Sequence, residues 1–337
     1  MILFRADANP TIGSGHVMRC LSIAGAYKKH GHEVLFITAD HNADNIIERF
    51  GFDHVCLESK WDDITGETDQ LKGIIKENNP SLLFVDSYSV TQSYFNALSQ
   101  FTKLVYMDDL NDLTWNVDAI INYNVYSTSL DYSNYEGTRT MLILGPKYAP
   151  LREEFRRIPA KQIKDVTDIF VSAGGSDPEC ITIKLIKDIC PIFEKIKFHF
   201  VVGSLNPRIE EIKELSLNQP NAILHINENN MSGLMQKCDL AISASGSTLY
   251  ELCACGVPTI TYSLADNQLL AMKQFEQQDL MKCAGDCRNN DGFVGKIKEL
   301  LDLLISNSDQ RSNMSSKMQR LVDGLGVEHI FEALTDL

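Results

Sequence analysis

No uninterrupted apolar stretch in the 337-residue chain approaches the ~20 residues that a membrane-spanning helix needs. Basic residues are also in deficit: 31 Lys and Arg stand against 45 Asp and Glu, a formal charge of −14. Duplex nucleic acid and anionic membrane surfaces both reward Lys/Arg patches, so neither is expected as a partner. Arg5 and Asp7 interrupt the N-terminal apolar residues before the core of a secretory leader could form, and a cytoplasmic location is expected. The nine cysteines are odd in number and scattered, which suits a reducing compartment better than a disulfide framework. Cys253 with Cys255 and Cys283 with Cys287 are the close pairs, and neither has the spacing of a zinc site. Buried or idle thiols are the expectation for all of them. Several fingerprints are missing as well. There is no Gly-Lys-Ser/Thr ending of a Walker A loop, no complete G-x-G-x-x-G, no G-x-S-x-G elbow and no D-x-D. These absences weigh against a P-loop ATPase, a dehydrogenase, an α/β-hydrolase and a metal-held diphosphate. No cofactor and no metal is expected.

What remains has the composition of a globular protein, 44% apolar and 23% charged, and a length that suggests about two domains. Short β-branched runs alternate with helical patterns. In the first half the strand candidates fall at 2–7, 33–38, 82–87, 103–109 and 119–124. Between the first two, Val17, Leu21, Ala24 and Ala26 give a helix an apolar face and Gly31 supplies its stop. The charged segment 151–165, which carries Pro159, reads as an interdomain connection. The alternation then restarts with strand candidates at 168–175, 197–203, 222–226, 240–245 and 258–263, and everything from Asp291 on reads as helical. Strand–helix alternation predicts parallel sheets, hence an α/β protein with two Rossmann-like domains, at 1–150 and 166–337. Ligands of such sheets sit beyond the carboxyl ends of the strands, and a cleft between the two domains is the default site.

Four loops carry the candidate chemistry. The first runs from Asp7 through Gly13 and Gly15 to His16, with Arg19 one turn further on. Gly13 and Gly15 are read as residues that take positive φ and let a ligand approach closely. His16 lies at a helix start, where the dipole favours an uncharged imidazole, the form a general base requires. A tight turn with an incidental histidine is the plainer alternative. The second loop, Ser172 to Pro178, holds Gly174, Gly175 and Ser176 as a phosphate cradle, or simply Asp177 as a helix cap. The third holds Ser245, Ser247 and Thr248 at a helix start, with Glu251 placed to accept ribose hydroxyls, or else an ordinary capping arrangement with Ser247 as the N-cap. The fourth offers Asn267 and Gln268 as amides for sugar hydroxyls, or common turn chemistry. Each loop alone is a weak signal. Together, at the ends of successive βα units, they point to a nucleotide-diphosphate ligand.

The stretch RADANPTIGSGHVMRCLSIA resembles the opening R-A-D…G-x-G-H-x-x-R-C signature of the PseG/SpsG family, whose reference member is a UDP-2,4-diacetamido-2,4,6-trideoxy-β-L-altropyranose hydrolase of pseudaminic acid biosynthesis. The similarity continues in FVDSY, YMDDL, INYNVY, GPKYAPLREEF, VSAGGSDP, SASGSTLYEL and ADNQ, so it spans nearly the whole chain. The later motifs are shared with MurG-like glycosyltransferases. The resemblance implies a GT-B fold, two Rossmann-like domains facing each other across a cleft, with UDP mostly in the second and the sugar reaching toward the first. It implies His16 as the base that activates water, and Asp7 and Tyr88 near the sugar. Glu251 matches the ribose-binding carboxylate, and Asn267 and Gln268 match amides that contact sugar or phosphate. The reaction implied is water attacking the anomeric carbon of a UDP-sugar with inversion. A MurG-like transferase using the same donor is the alternative.

Overall fold

A computed structural model describes every residue except Pro10, Ser204, Leu205, Asn289 and Asp336. By contact the chain divides into two compact units, one of 1–152 with 325–337 and one of 153–324.

The first unit is built on seven strands: β1 (Ile2–Ala6), β2 (Val34–Thr38), β3 (Asp53–Cys56), β4 (Leu82–Asp86), β5 (Lys103–Met107), β6 (Ala119–Asn122) and β7 (Met141–Leu144). Their order in the sheet is β3-β2-β1-β4-β5-β6-β7, with every neighbouring pair parallel. Strands β1 and β4 are buried at every position, as expected where helices cover both faces of a parallel sheet. The helix Gly15–Lys29 follows β1 and buries Val17, Leu21, Ala24 and Ala26, the face read from the sequence. It ends where Gly31 turns into the left-handed region at φ +85°.

The second unit carries β8 (Asp168–Ser172), β9 (Lys197–Val202), β10 (Ala222–Ile226), β11 (Leu240–Ala244), β12 (Thr259–Ser263) and β13 (Lys282–Asp286), again all parallel, in the order β10-β9-β8-β11-β12-β13. In each sheet the strand order reverses once, between β1 and β4 and between β8 and β11. At such a reversal the connecting helices leave toward opposite faces and a crevice opens at the carboxyl ends.

Two differences from the sequence reading concern the chain's course. Strands β3, β7 and β13 escape it, and all three are edge strands of four or five residues. An edge strand is covered on fewer sides and needs no continuous apolar run: β3 reads DHVC and β13 carries Gly285 at φ +86°. The second difference is the last helix, Gly326–Leu334, which groups with the first unit instead of closing the 166–337 block. Its Phe331 stacks on His30 at 3.9 Å and meets Tyr27 edge-on, and Glu328 pairs with His30 at 3.1 Å. Gly326 lies so close to Ala149 that a Cβ would stand 2.0 Å from its carbonyl oxygen. Residues from Glu153 onward group with the second unit. There the Lys161 ammonium donates to the Cys238 carbonyl at 2.6 Å, and Arg311 donates to the Lys164 carbonyl. Residues 153–165 of the segment read as an interdomain connection are thus fastened to that unit. All nine cysteines are free thiols. No helix among the described residues is long and apolar enough to cross a membrane.

Candidate active site

In the first unit, polar residues gather at the carboxyl ends of four adjacent strands. Asp7 follows β1, Asp86 is the last residue of β4, Asp109 lies two residues past β5, and Tyr123 and Asn124 follow β6. The helix Gly15–Lys29 follows β1 in the chain and places His16 and Arg19 three residues apart on one face.

Asp86 is buried and organises the group. Its Oδ1 meets His16 Nδ1 at 2.5 Å, and its two oxygens accept from Arg19 Nη2 at 2.6 Å and Nε at 2.5 Å. The Cys20 thiol donates to Oδ2 at 3.6 Å. Burial alone would raise the Asp86 carboxyl, but the charges and hydrogen bonds of Arg19 and His16 outweigh it and hold the group well below the usual carboxylate range. Burial likewise opposes the charge on Arg19, and Asp109 and Asp86 overcome it. Arg19 Nη1 also donates to Asp109 at 2.9 Å and to the Tyr123 hydroxyl at 3.2 Å. Asp109 in turn accepts from Asn124 at 2.9 Å and from the Tyr88 hydroxyl at 2.8 Å. Tyr88 sets its ring edge-on to His16, with centroids 4.9 Å apart. Burial and then Asp109 push its phenol upward, so it stays a donor.

A carboxylate can only accept, so a His16 Nδ1 that carries a proton donates it to Asp86, and Nε2 is the ring nitrogen left facing away from this contact. Arg19 Nη2 lies 3.3 Å from the same Nδ1. The two carboxylates Asp86 and Asp109 face one guanidinium, leaving a charge vacancy that an imidazolium would fill. An imidazolium formed at His16 would therefore meet a carboxylate partner in Asp86.

Behind this group lies a second buried network. Arg5 is fully buried and grips Glu67 with Nε at 2.6 Å and Nη2 at 2.8 Å, while its Nη1 holds Asp7 at 2.5 Å. Glu67 also accepts from Ser59 and Tyr94. Burial disfavours the Arg5 charge, but Glu67 and Asp7 more than restore it. The other oxygen of Asp7 accepts from the Ala39 N–H at 2.7 Å, so the carboxylate is fixed from two sides. Asp7, Ile12, His16, Trp61, Asp86 and Tyr88, with Ser87 and Ser89, line one small pocket.

Of the residues singled out in the sequence, Asp7, His16 and Tyr88 therefore come together, with Arg19 locking the group from behind. Gly13 takes φ +72° and bridges back to Asn9. Gly15 is different: it is the first residue of the helix, it has no positive φ, and a Cβ there would meet nothing within 4 Å. Its backbone makes no demand for glycine. Asp86, Asp109, Trp61, Ile12, Arg5 and Glu67 were not singled out. The available signal was a charged residue ending or interrupting an otherwise buried strand, as in LLFVD and ILFRA.

In the second unit the candidate loops follow β8, β11 and β12, three strands adjacent in the sheet. Gly174 takes φ +78°, and Gly203 packs so tightly on Gly175 that a Cβ would lie 2.8 Å from its carbonyl oxygen. Asp177 accepts from the N–H groups of Ile181 and Thr182 at 2.7 and 2.9 Å, so it caps the helix Ile181–Asp188. Those donors are taken, and any anion contact here falls to the loop 174–176 itself. Ser245 is buried with its hydroxyl 2.7 Å from that of Thr261, a pairing that ties two strand ends together. Ser247 is the N-cap of the helix Thr248–Cys255 without a side-chain capping bond, and it is exposed. Glu251 lies half-buried in the first turn of that helix. Asn267 is exposed, whereas Gln268 uses its carbonyl oxygen to accept from the Leu264 N–H at 2.9 Å.

No protein-family model matches the chain. Its relatives include the spore coat polysaccharide biosynthesis protein SpsG of Bacillus subtilis, 27% identical with 98% of this chain and 97% of that protein aligned. They also include the UDP-2,4-diacetamido-2,4,6-trideoxy-beta-L-altropyranose hydrolase of Campylobacter jejuni, 24% identical over 74% of this chain and 86% of that one. Against a longer relative from Methanocaldococcus jannaschii, 27% identical, the chain spans 55% of that protein's length. Among solved structures, MurG of Acinetobacter baumannii superimposes with a TM-score of 0.70 at 12% identity, covering 100% of this chain and 99% of that one. The chain thus has the GT-B fold, two Rossmann-like units, and sequence relatives among the SpsG and PseG proteins.

Proposed function

We propose that this chain is an enzyme acting on a UDP-sugar, and specifically that it hydrolyses a UDP-activated 2,4-diacetamido-2,4,6-trideoxy sugar to free sugar and UDP, a step of pseudaminic acid biosynthesis in the cytoplasm. The observation that carries this reading is the His16–Asp86 pair at the wall of a pocket, 2.5 Å between nitrogen and oxygen, in a chain whose relatives include a hydrolase of such a nucleotide sugar. His16 Nε2 takes a proton from water as the water attacks the anomeric carbon. The C–O bond to the β-phosphate breaks as the new one forms, the anomeric configuration inverts, and UDP leaves. Asp86 holds the ring in the productive tautomer and pairs with the imidazolium. Asp7 and Tyr88 orient the sugar. In the second unit, loop 174–176, Thr248 and Glu251 take the nucleotide, where backbone N–H groups meet charge growing on the diphosphate without a metal.

Incubation with UDP-sugars in 18O-water tests this. The label is expected in the sugar and not in UDP, and the first-formed product is expected to be the inverted anomer by NMR. His16→Ala is expected to lower kcat by roughly two to four decades with KM little changed; near-normal turnover removes His16 from the chemistry. A transferase reading is favoured by one observation, that the relative aligned over 98% of this chain is named for polysaccharide biosynthesis. In that case UDP is released only when an acceptor hydroxyl is supplied, and the label stays in water.

A further inference from the structure

Several polar side chains of the pocket beside His16 already hold a hydrogen bond from the protein, which leaves them part of their capacity for a ligand. Each oxygen of Asp7 accepts a hydrogen bond from the protein, one from Arg5 and one from Ala39. Asp86 is shared between His16, Arg19 and Cys20. The Tyr88 hydroxyl donates to Asp109, and Ser87 Oγ accepts from the Ser89 N–H. Besides Ser89, the remaining lining is mostly carbon: the side chain of Ile12 and the indole of Trp61, whose N–H is its one polar atom, both half-buried, beside the rings of His16 and Tyr88. A hydroxyl pushed against such a wall loses its hydrogen bonds to water and finds few in return. A methyl group loses nothing and gains contact.

We infer that Trp61 and Ile12 form a methyl-recognising wall that makes the enzyme selective for sugars whose substituent at this point is a methyl group instead of a hydroxymethyl or a bare polar group. The inference rests on the hydrolase reading for its substrate and adds the residues that set its specificity. The methyl has two possible sources on such a sugar, the 6-deoxy carbon and the acyl group of an acetamido substituent, and the two are chemically alike at the wall. Neither Trp61 nor Ile12 offers a group that could take part in the bond-breaking step, so their contribution is to discrimination.

The test compares UDP-2,4-diacetamido-2,4,6-trideoxyhexose with its 6-hydroxy counterpart and with its 4-amino counterpart lacking one acetyl group. UDP release gives kcat/KM for the native chain and for Trp61→Ala, Ile12→Ser and Trp61→Phe. A hydrophobic site discriminates single-group changes of this kind by roughly 10- to 200-fold. The native chain is expected to prefer the methyl-bearing sugar by about 100-fold over one of the two counterparts, and the counterpart rejected identifies which methyl is read. Trp61→Ala and Ile12→Ser are expected to cut that ratio at least tenfold by weakening turnover of the methyl-bearing sugar alone, and Trp61→Phe to keep most of it. The inference is overturned if the native chain shows no preference, or if the ratio survives in Trp61→Ala. A general loss of fold lowers turnover of all three sugars together and leaves the ratio in place, so it counts with the overturning outcomes. Should the native chain bind these sugars without releasing UDP, hydrolysis is refuted, and the same ratios read as dissociation constants by calorimetry still decide the role of the wall.

Discussion

Replacing Asp86 by Asn removes one charge and almost no volume from the centre of the site, so its consequence can be worked out in advance. Two unit charges about 4 Å apart attract by about 4 kcal/mol at an effective dielectric constant near 20. The His16–Asp86 contact, 2.5 Å between nitrogen and oxygen, falls in that regime. With about 1.4 kcal/mol for each factor of ten, losing the partner of an imidazolium that exists only after proton transfer should slow kcat by roughly three decades. The amide adds a second penalty. Arg19 donates to both oxygens of Asp86, so an Asn must turn its NH2 either toward Arg19 Nε or toward His16 and Arg19 Nη2, donor against guanidinium donor in both cases. The second choice favours a proton on Nε2, which disables the base, much as the equivalent change does in serine proteases. The assay is UDP release under saturating UDP-sugar, with KM determined alongside, since the loss is expected in kcat. The folded state must be checked in parallel, because breaking a buried pair costs about 3–5 kcal/mol. Urea unfolding supplies that check and a pH signature. The folded-state Asp86 carboxyl lies below its ordinary value, so its contribution to stability is present above about pH 4, the unfolded value, and is lost as pH falls further toward the folded value. The native-minus-variant difference should therefore be flat from neutral pH down to about 4 and shrink below it. An Asp86→Asn chain that folds and keeps kcat within about threefold would refute the electrostatic account of His16.

The two glycines of the first loop should separate cleanly. Gly13→Ala forces a side chain into φ +72° and is expected to cost about 1–2 kcal/mol in urea unfolding. Gly15→Ala puts a methyl into open space at a helix start, so stability should hold or rise slightly, and an increase in KM without any stability loss would mark Gly15 as a point of ligand approach. Glu67→Gln leaves Arg5 buried with a single carboxylate, Asp7. A loss of about 3–5 kcal/mol in unfolding free energy is expected, together with a raised KM as Arg5, one of the two groups that hold Asp7, loses its other carboxylate; a loss below about 1 kcal/mol would mean the network is not coupled to the fold.

The sheets were legible because buried parallel strands are mostly apolar runs, and β1, β4, β8 and β11 have that form apart from the charged Arg5, Asp86 and Asp168. His16 and Asp7 were legible because they flank glycines at a strand-to-helix turn. Asp86 and Asp109 were not, because their importance comes from the β1-β4-β5 adjacency, which sets side by side residues 70 and 90 positions from the helix residues they bind. Trp61 escaped notice for the opposite reason: it sits in an irregular stretch after β3, where no periodicity says which way a side chain faces. In the second unit the loops were found by composition, but composition could not say that Asp177 closes its own helix or that Ser245 is tied to Thr261.

The return of the helix Gly326–Leu334 to the first unit has a consequence for the order of events during synthesis. Residue 152 is made well before 325–337, so the half that carries His16 cannot complete its packing against Tyr27 and His30 until those residues emerge, roughly 10–40 s later at ~5–20 residues per second. The second unit, 153–324, is complete before then. The unit that carries His16 is thus begun before the second and closed after it, and a chain cut within the helix Gly326–Leu334 would lose that unit's closing piece while leaving 153–324 whole.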